Sequence, residues 1–310
     1  MKYKIKIEHW DVKNSKDLVY IYNDQLRDTP YFYLVSPQEF ENGIQNRNNL
    51  SNPYAEVHSE KIIVGQEGDK IIGFAHVSIG EVKNFSVLQQ GGFIHFLTYQ
   101  PGYRSFGQAI LDECERYLHG LGADNIWAFM NVSNYPFYHL GFGYLSDKMA
   151  HVCSLFCMNR YEIDIGEIFM AYPEYDIPEP NIMNYHFLHD NQIKIVVERK
   201  DGRGILPNLH IQALRGHEEI GECYTVSLGE FYQAIEAQSW FFTKWLGIEE
   251  KEQGKGLGRY LLQKTLHEMR GIGYKNAAIS TNVRNHRAQL FYTNFGYKVT
   301  DTSYEFVRHL

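Results

Sequence analysis

Gln253-Gly254-Lys255-Gly256-Leu257-Gly258 sets three glycines at alternate positions around Lys255 and Leu257, between an apolar, aromatic stretch and a run with helical spacing. Glycine accepts backbone conformations that other residues resist, so such a turn can aim successive N–H groups at one point. A helix starting there adds the positive end of its dipole. The chemistry this suits is anion binding, most naturally of a pyrophosphate. A plain glycine-rich turn has the same composition, so the loop alone leaves both readings open. Two phosphate motifs are excluded by spacing: a Rossmann fingerprint needs glycine where Arg259 stands, and a Walker loop needs Lys-Ser or Lys-Thr after its last glycine.

The flanking elements must position this loop. Trp240 to Ile248 is short, aromatic and bounded by charge, and reads as a buried strand. Tyr260, Leu261, Leu262, Thr265 and Leu266 keep helical spacing up to Gly271, and Asn276 to Thr281 reads as a second strand. After it comes Asn285, with Ala288 three residues on, the pair Phe291-Tyr292 at six and seven, and Gly296-Tyr297 at eleven and twelve.

Gln253-x-x-Gly-x-Gly between a strand and a helix resembles the acetyl-coenzyme A loop of the GNAT acetyltransferase superfamily, and Asn285 to Tyr297 resembles that family's closing block. The first half repeats the pattern. Arg104-Ser105-Phe106-Gly107-Gln108-Ala109 follows the same loop rule, and Asn131 and Tyr138 are spaced like Asn285 and Tyr292. The expected fold is therefore α/β (α+β): two tandem GNAT-like domains, each a mixed, mostly antiparallel sheet flanked by helices. The boundaries are 1–157, with a degenerate cofactor loop, and 158–310, binding acetyl-CoA. In layout this is similar to the mycothiol synthase type.

Local signals agree with that order. The sequence predicts a helix over Asp17–Leu26, a second helix opened by Ser36-Pro37 with Glu39 as a capping box, and a loop over Asn46–Asn52. Lys61–Gly65 and Lys70–Val77 form a hairpin pattern. Between about Asn159 and Ile220 no pair of amphipathic helices is evident. The helices that usually cover the acceptor are expected to be missing from the second half.

Composition bounds the partners. In 310 residues there are 23 Tyr and 19 Phe, so aromatic-lined pockets are expected, and the net charge of -7 with no basic stripe excludes nucleic acid as the main partner. No signal peptide or membrane-spanning run is evident. Cys114, Cys153, Cys157 and Cys223 are too scattered for a disulfide framework or a zinc site, which predicts reduced, buried thiols in the cytoplasm and no metal. A monomer or homodimer is expected.

The resemblance implies an N-acetyltransferase that moves an acetyl group from acetyl-CoA to a primary amine of a small molecule, by direct attack in a ternary complex. Carried over residue by residue, it assigns cofactor binding to Leu246, Gly247, Ile248, Gln253, Gly254, Lys255, Gly256, Leu257, Gly258, Arg259, Asn285 and Tyr292. Tyr292 is also the expected acid toward the departing sulfur. The base stays open. Many family members have Glu where Lys244 stands in the second half and His95 in the first. Glu230, Glu236 and Glu222, acting directly or through water, are the alternatives, as is an amine that arrives unprotonated, with Glu230 set beside Tyr292 as catalytic. Two other readings remain: an acyl-CoA binding or sensing protein without turnover, and activity residing in the first domain.

Overall fold

The computed structural model describes residues 5–45, 55–84, 87–130, 135, 137–141, 143–176 and 188–309. The expected loop over Asn46–Asn52 and the motif residue Asn131 lie outside them. The chain forms two compact units: Met1–Ile168 with Asn282–Arg284 and Asp301–Leu310, and Phe169–Thr281 with Asn285–Thr300. Residues 158–168 and the chain's last ten thus count with the first unit.

The first unit contains β1 (Ile5–Trp10), α1 (Val19–Gln25), α2 (Pro37–Gln45), β2 (Ala55–Glu67), β3 (Lys70–Asn84), β4 (Val87–Tyr99), α3 (Arg104–Gly120), β5 (Asn125–Ala128), β6 (Leu145–Ser146), α4 (Ala150–Met158) and the start of β7 (Glu162–Tyr172). Its sheet runs β1-β2-β3-β4-β5, antiparallel except for the parallel pair β4 and β5. The C-terminal strand, Lys298–His309, lies antiparallel to β5, with Phe306 opposite Ala128, so the end of the chain completes this sheet.

Local sequence explains these elements. The Ser36 hydroxyl accepts from Glu39 N at 3.2 Å and the Glu39 carboxylate accepts from Ser36 N at 3.0 Å, a reciprocal capping box. β2 and β3 meet through Gly68-Asp69, where Gly68 takes φ 61°, a turn suited to glycine. The helix expected from Asp17 starts later, because Val12–Leu18 forms a 3-10 segment kinked at Asn14. Tyr22 of α1 and Phe40 of α2 pack on the sheet, with ring centroids 5.3 Å from Phe96 and 6.3 Å from Phe74.

The second unit contains the end of β7, β8 (Ile193–Lys200), β9 (Asn208–Arg215), β10 (Glu218–Ser227), β11 (Trp240–Ile248), α5 (Leu257–Ile272), β12 (Asn276–Asn282), α6 (His286–Phe295) and the start of the last strand, β13. The order is β7-β12-β11-β10-β9-β8, with β11 and β12 parallel and β8 to β11 antiparallel. Leu257, Leu261, Leu262, Leu266 and Met269 of α5 are buried along one stripe. Residues 201–207 join β8 to β9 without a helix, whereas α1 and α2 stand between β1 and β2 in the first unit.

Two cysteines depart from expectation. Cys114 and Cys223 are buried and burial pushes the Cys223 thiol up to about 12, but Cys153 is half-buried and Cys157 exposed, because α4 buries only its Val152, Leu155 and Phe156 face. Among the described residues no helix is long and apolar enough to cross a membrane.

Candidate active site

The loop between β11 and α5 has the conformation its glycines allow. Gly254 and Gly256 take φ 78° and 92°, left-handed backbone that costs other residues about 1–2 kcal/mol, and Gly256 stands immediately before the first helical residue. A β-carbon built on either would meet nothing within 4 Å, so both face open space. The first helical bond, Tyr260 N to Gly256 O, leaves the amides of the preceding turn to be met from outside the helix.

A charge cluster holds this turn, with the buried Glu252 carboxylate at its centre and on the cleft wall. Glu252 accepts from both Arg215 Nη atoms, at 2.7 and 3.1 Å, and from Lys255 at 3.3 Å. The Arg215 guanidinium above all, and then Lys255, keep its carboxyl at about 2. Gln253 ties two walls together: its amide donates to Ile248 O at 3.0 Å and accepts from Arg287 at 2.8 Å.

The strand before the loop parts from its parallel neighbour. β11 pairs with β12 only from Trp240 to Thr243, while β10 follows it to Ile248, with a register shift that makes Lys244 an extra residue. Residues 244–248 therefore leave the parallel ladder. A cleft of about 560 Å³ opens there. α6 forms its other wall, capped by Asn285, whose side chain accepts from Ala288 N at 3.1 Å. Gly296, at φ 106°, ends that helix.

Of the residues expected to hold a cofactor, Leu246, Ile248, Gln253, Gly254, Gly256, Gly258, Arg259, Asn285 and Tyr292 line this cleft. Gly247, Lys255 and Leu257 belong to its strand and loop without lining it. Leu257 is buried in the core, Lys255 reaches Glu252, and Gly247 lies beneath the Trp245 indole. Glu230 is elsewhere. β10 runs away from the cleft, and beyond its end the Glu230 carboxylate accepts from Arg203 N at 3.0 Å and Asn208 at 2.9 Å, bracing a turn. Nearness in sequence to β11 does not survive the strand's direction. Glu252, Arg287, Ala288, Leu290, Phe291 and Asn294 also line the cleft, though the resemblance assigned them no binding role. Ala288 is one helical turn before Tyr292, so helical spacing could have supplied it.

The cleft suits a coenzyme A ester on its own terms: an open glycine cradle at a helix N-terminus, Arg287 and Arg259 beside it, and an apolar wall of Leu246, Ile248 and Phe291. Tyr292 is 7% exposed, with its ring between Phe291 and Tyr297 at 5.3 and 6.0 Å.

The first unit has the same plan with a different content. β4 pairs with β5 only from Gly91 to Ile94, and a shift makes His95 the extra residue. His95 is sealed, 1% exposed, with Nε2 2.6 Å from Ser78 Oγ. α3 already begins at Arg104, so the loop motif is helix, and a β-carbon on Gly107 would come 2.5 Å from the Tyr99 ring. Tyr138 is 2% exposed and its hydroxyl accepts from Ser146 N at 3.0 Å.

Comparison with known proteins agrees with the tandem plan. The acetyltransferase (GNAT) family matches residues 18–142 and the acetyltransferase (GNAT) domain residues 208–299. The GCN5-related glucosamine N-acetyltransferase region of a fungal multi-domain GH3 β-N-acetylglucosaminidase is similar in fold, at 14% identity and TM-score 0.67. The match covers 99% of this chain but only 38% of that one. A tandem GNAT protein from the clavulanic acid biosynthesis pathway matches over 98% of both chains at 9% identity and TM-score 0.63. A GCN5-related N-acetyltransferase from Sphaerobacter thermophilus matches over 98% of this chain and 95% of its own, at 11% and 0.57. No curated protein sequence matches the chain. With two family domains in sequence order and a tandem fold along its whole length, the chain belongs to the GNAT acetyltransferase superfamily, in its tandem form.

Proposed function

We propose that the protein is an N-acetyltransferase that moves an acetyl group from acetyl-CoA to a primary amine of a small molecule, with the second unit as its working site. The observation that carries this is the pair of left-handed glycines opening α5 onto a cleft that Tyr292 lines. The loop amides, the helix dipole, Arg287 and Arg259 hold the phosphates, and the freed strand end, Leu246 to Ile248, holds the pantetheine arm. Acetyl-CoA supplies an acyl carbon activated as a thioester, with a thiolate as leaving group. Backbone N–H groups of the splayed strand stabilise negative charge on the carbonyl oxygen. The Tyr292 hydroxyl gives its proton to the sulfur as the C–S bond breaks, and one of the protons lost from nitrogen restores it.

The first unit supports rather than turns over. Its strand-end carbonyl, Tyr99 O, accepts from His151 Nε2 at 2.9 Å, and its loop motif is helical. One observation favours a second reading, an acyl-CoA sensor without turnover: the bulge puts Lys244, which brings no carboxylate, where many family members have Glu.

Thiol release from acetyl-CoA tests the proposal, measured against a panel of amines that includes glucosamine because of the fungal neighbour's activity. Acetyl-CoA binding by calorimetry together with amine-dependent release supports the enzyme. Binding with no release across the panel favours the sensor.

A further inference from the structure

One face of the second unit's sheet differs from its counterpart in the first in a way the cofactor cleft does not explain. In the first unit Ile62, Val64, Phe74, His76 and Phe96 share the face beneath α1 and α2, and all five are fully buried. Strand register puts His210, Gln212, Glu222, Tyr224 and Trp245 at the matching places: His210 opposite Tyr224, Gln212 opposite Glu222, and Tyr224 opposite Trp245. With no helix between β8 and β9, Trp245 is 58% exposed and the other four are half-buried.

These side chains form an ordered group beside the freed strand. Glu222 and His210 are joined at 2.8 Å, and the His210 ring meets Tyr224 edge-on at 5.8 Å. The Trp245 indole lies over Gly247, where a β-carbon would come 2.6 Å from its Nε1. Gly247 stands opposite Glu222 and between Leu246 and Ile248, both of which line the cleft. A carboxylate and an exposed indole therefore both stand beside Gly247, on the strand end where the thioester end of the cofactor is expected. Among the described residues, the other charges on this face are Glu198, paired with Lys200 at 3.0 Å, Glu219, bonded by Gln212, Lys194 on β8, and the bulge residue Lys244. Glu222 meets His210 and no lysine or arginine among the described residues.

We propose that this face is the acceptor subsite and that it takes a primary amine in its ammonium form. The inference rests on the acetyltransferase reading and adds the place and charge of the acceptor. Glu222 supplies the counter-charge, and the Trp245 and Tyr224 rings cover the cation and its neighbouring carbons. Before attack the ammonium N–H bond breaks, its electrons remain on nitrogen as the lone pair, and the proton passes to the Glu222–His210 pair and on to water.

The test uses the full chain with tyramine, spermidine and glucosamine as probes, and the variants Glu222→Gln, Trp245→Ala and Trp245→Phe. For an amine that is acetylated, KM should rise about tenfold or more in Glu222→Gln and Trp245→Ala, recover in part in Trp245→Phe, and leave acetyl-CoA affinity within about twofold. An unchanged amine KM in both variants overturns the subsite and leaves the acetyltransferase standing. If none of the amines is acetylated, saturation-transfer NMR with the same three decides. Signals present in the native protein and lost in Trp245→Ala support the subsite, and signals absent from the native protein or kept in the variant overturn it.

Discussion

The two units share a bulged strand that leaves its parallel neighbour, yet only in the second does that departure open onto a glycine cradle. In the second unit β11 leads into left-handed Gly254 and Gly256, and the opposite wall is α6. In the first unit α4 approaches β4: the Tyr99 hydroxyl donates to His151 O at 2.9 Å while His151 Nε2 donates to Tyr99 O at 2.9 Å. Burial holds His151 below its usual value, which favours the neutral ring, and the tautomer with its proton on Nε2 makes this donation. At about 1 kcal/mol net for each bond, plus the Tyr99 ring packed on Gly107, a pantetheine arm would displace protein already satisfied. The difference teaches that a split strand becomes a binding site only when the neighbouring segments of chain leave the strand end unpaired.

The largest expected effects come from the glycines. Gly256→Val cannot keep φ 92° easily and sets a branched side chain in the cradle, so calorimetric titration with acetyl-CoA should give no heat of binding. Gly107→Ala, its counterpart, should leave binding intact and instead lower Tm. The added carbon collides with Tyr99, an overpacking worth about 1–3 kcal/mol. Reversed outcomes would transfer the cofactor site to the first unit.

The tyrosines sharpen the same contrast. Tyr292→Phe should keep acetyl-CoA affinity while kcat falls by roughly 10²–10⁴. Tyr138→Phe should keep kcat but leave Ser146 N without its acceptor, at about 1–3 kcal/mol of stability read by thermal unfolding. Loss of turnover in Tyr138→Phe alone would make the first unit the enzyme.

Much of this contrast is legible in the sequence, because it is local. The loop glycines, the Asn285 cap and the Ser36 capping box each depend on residues a few positions apart. In Ser105-Phe106 the absence of glycine predicts a weaker loop, and the structure extends this: residues that do not need left-handed backbone simply continue α3 back to Arg104. What the sequence does not reveal depends on distant partners. Arg215 under the loop comes from β9, His151 reaches β4 from α4, and the last strand pairs with β5. Glu230 misleads for the same reason, since the direction of β10 separates it from the residues it precedes.

The Glu252 tether gives a smaller effect with a definite sign. Its folded carboxyl sits at about 2 against an unfolded value of about 4.3, so the stability it contributes is complete above the unfolded value and is lost as pH falls toward the folded one. Arg215→Met removes the main cause. The carboxyl should then titrate close to the ordinary range, seen by carboxyl-detected NMR, and the less ordered cradle should bind acetyl-CoA roughly tenfold more weakly at neutral pH. A Glu252 titration unchanged in the variant would mean that Lys255 alone holds the charge.

The smallest effect separates two roles of Asn285, which caps α6 and also lines the cleft. Asn285→Ala removes the cap, at about 1 kcal/mol of stability. Loss of affinity in that variant would not say whether the side chain touches the cofactor or only starts the helix. Asn285→Asp does, because aspartate caps as well as asparagine but brings a negative charge to an anion-binding wall. Tm restored to the native value with acetyl-CoA affinity still reduced places position 285 within reach of the bound anion's charge. If Asn285→Asp recovers both, the residue serves the helix alone, and the anion is held by the loop, Arg287 and Arg259.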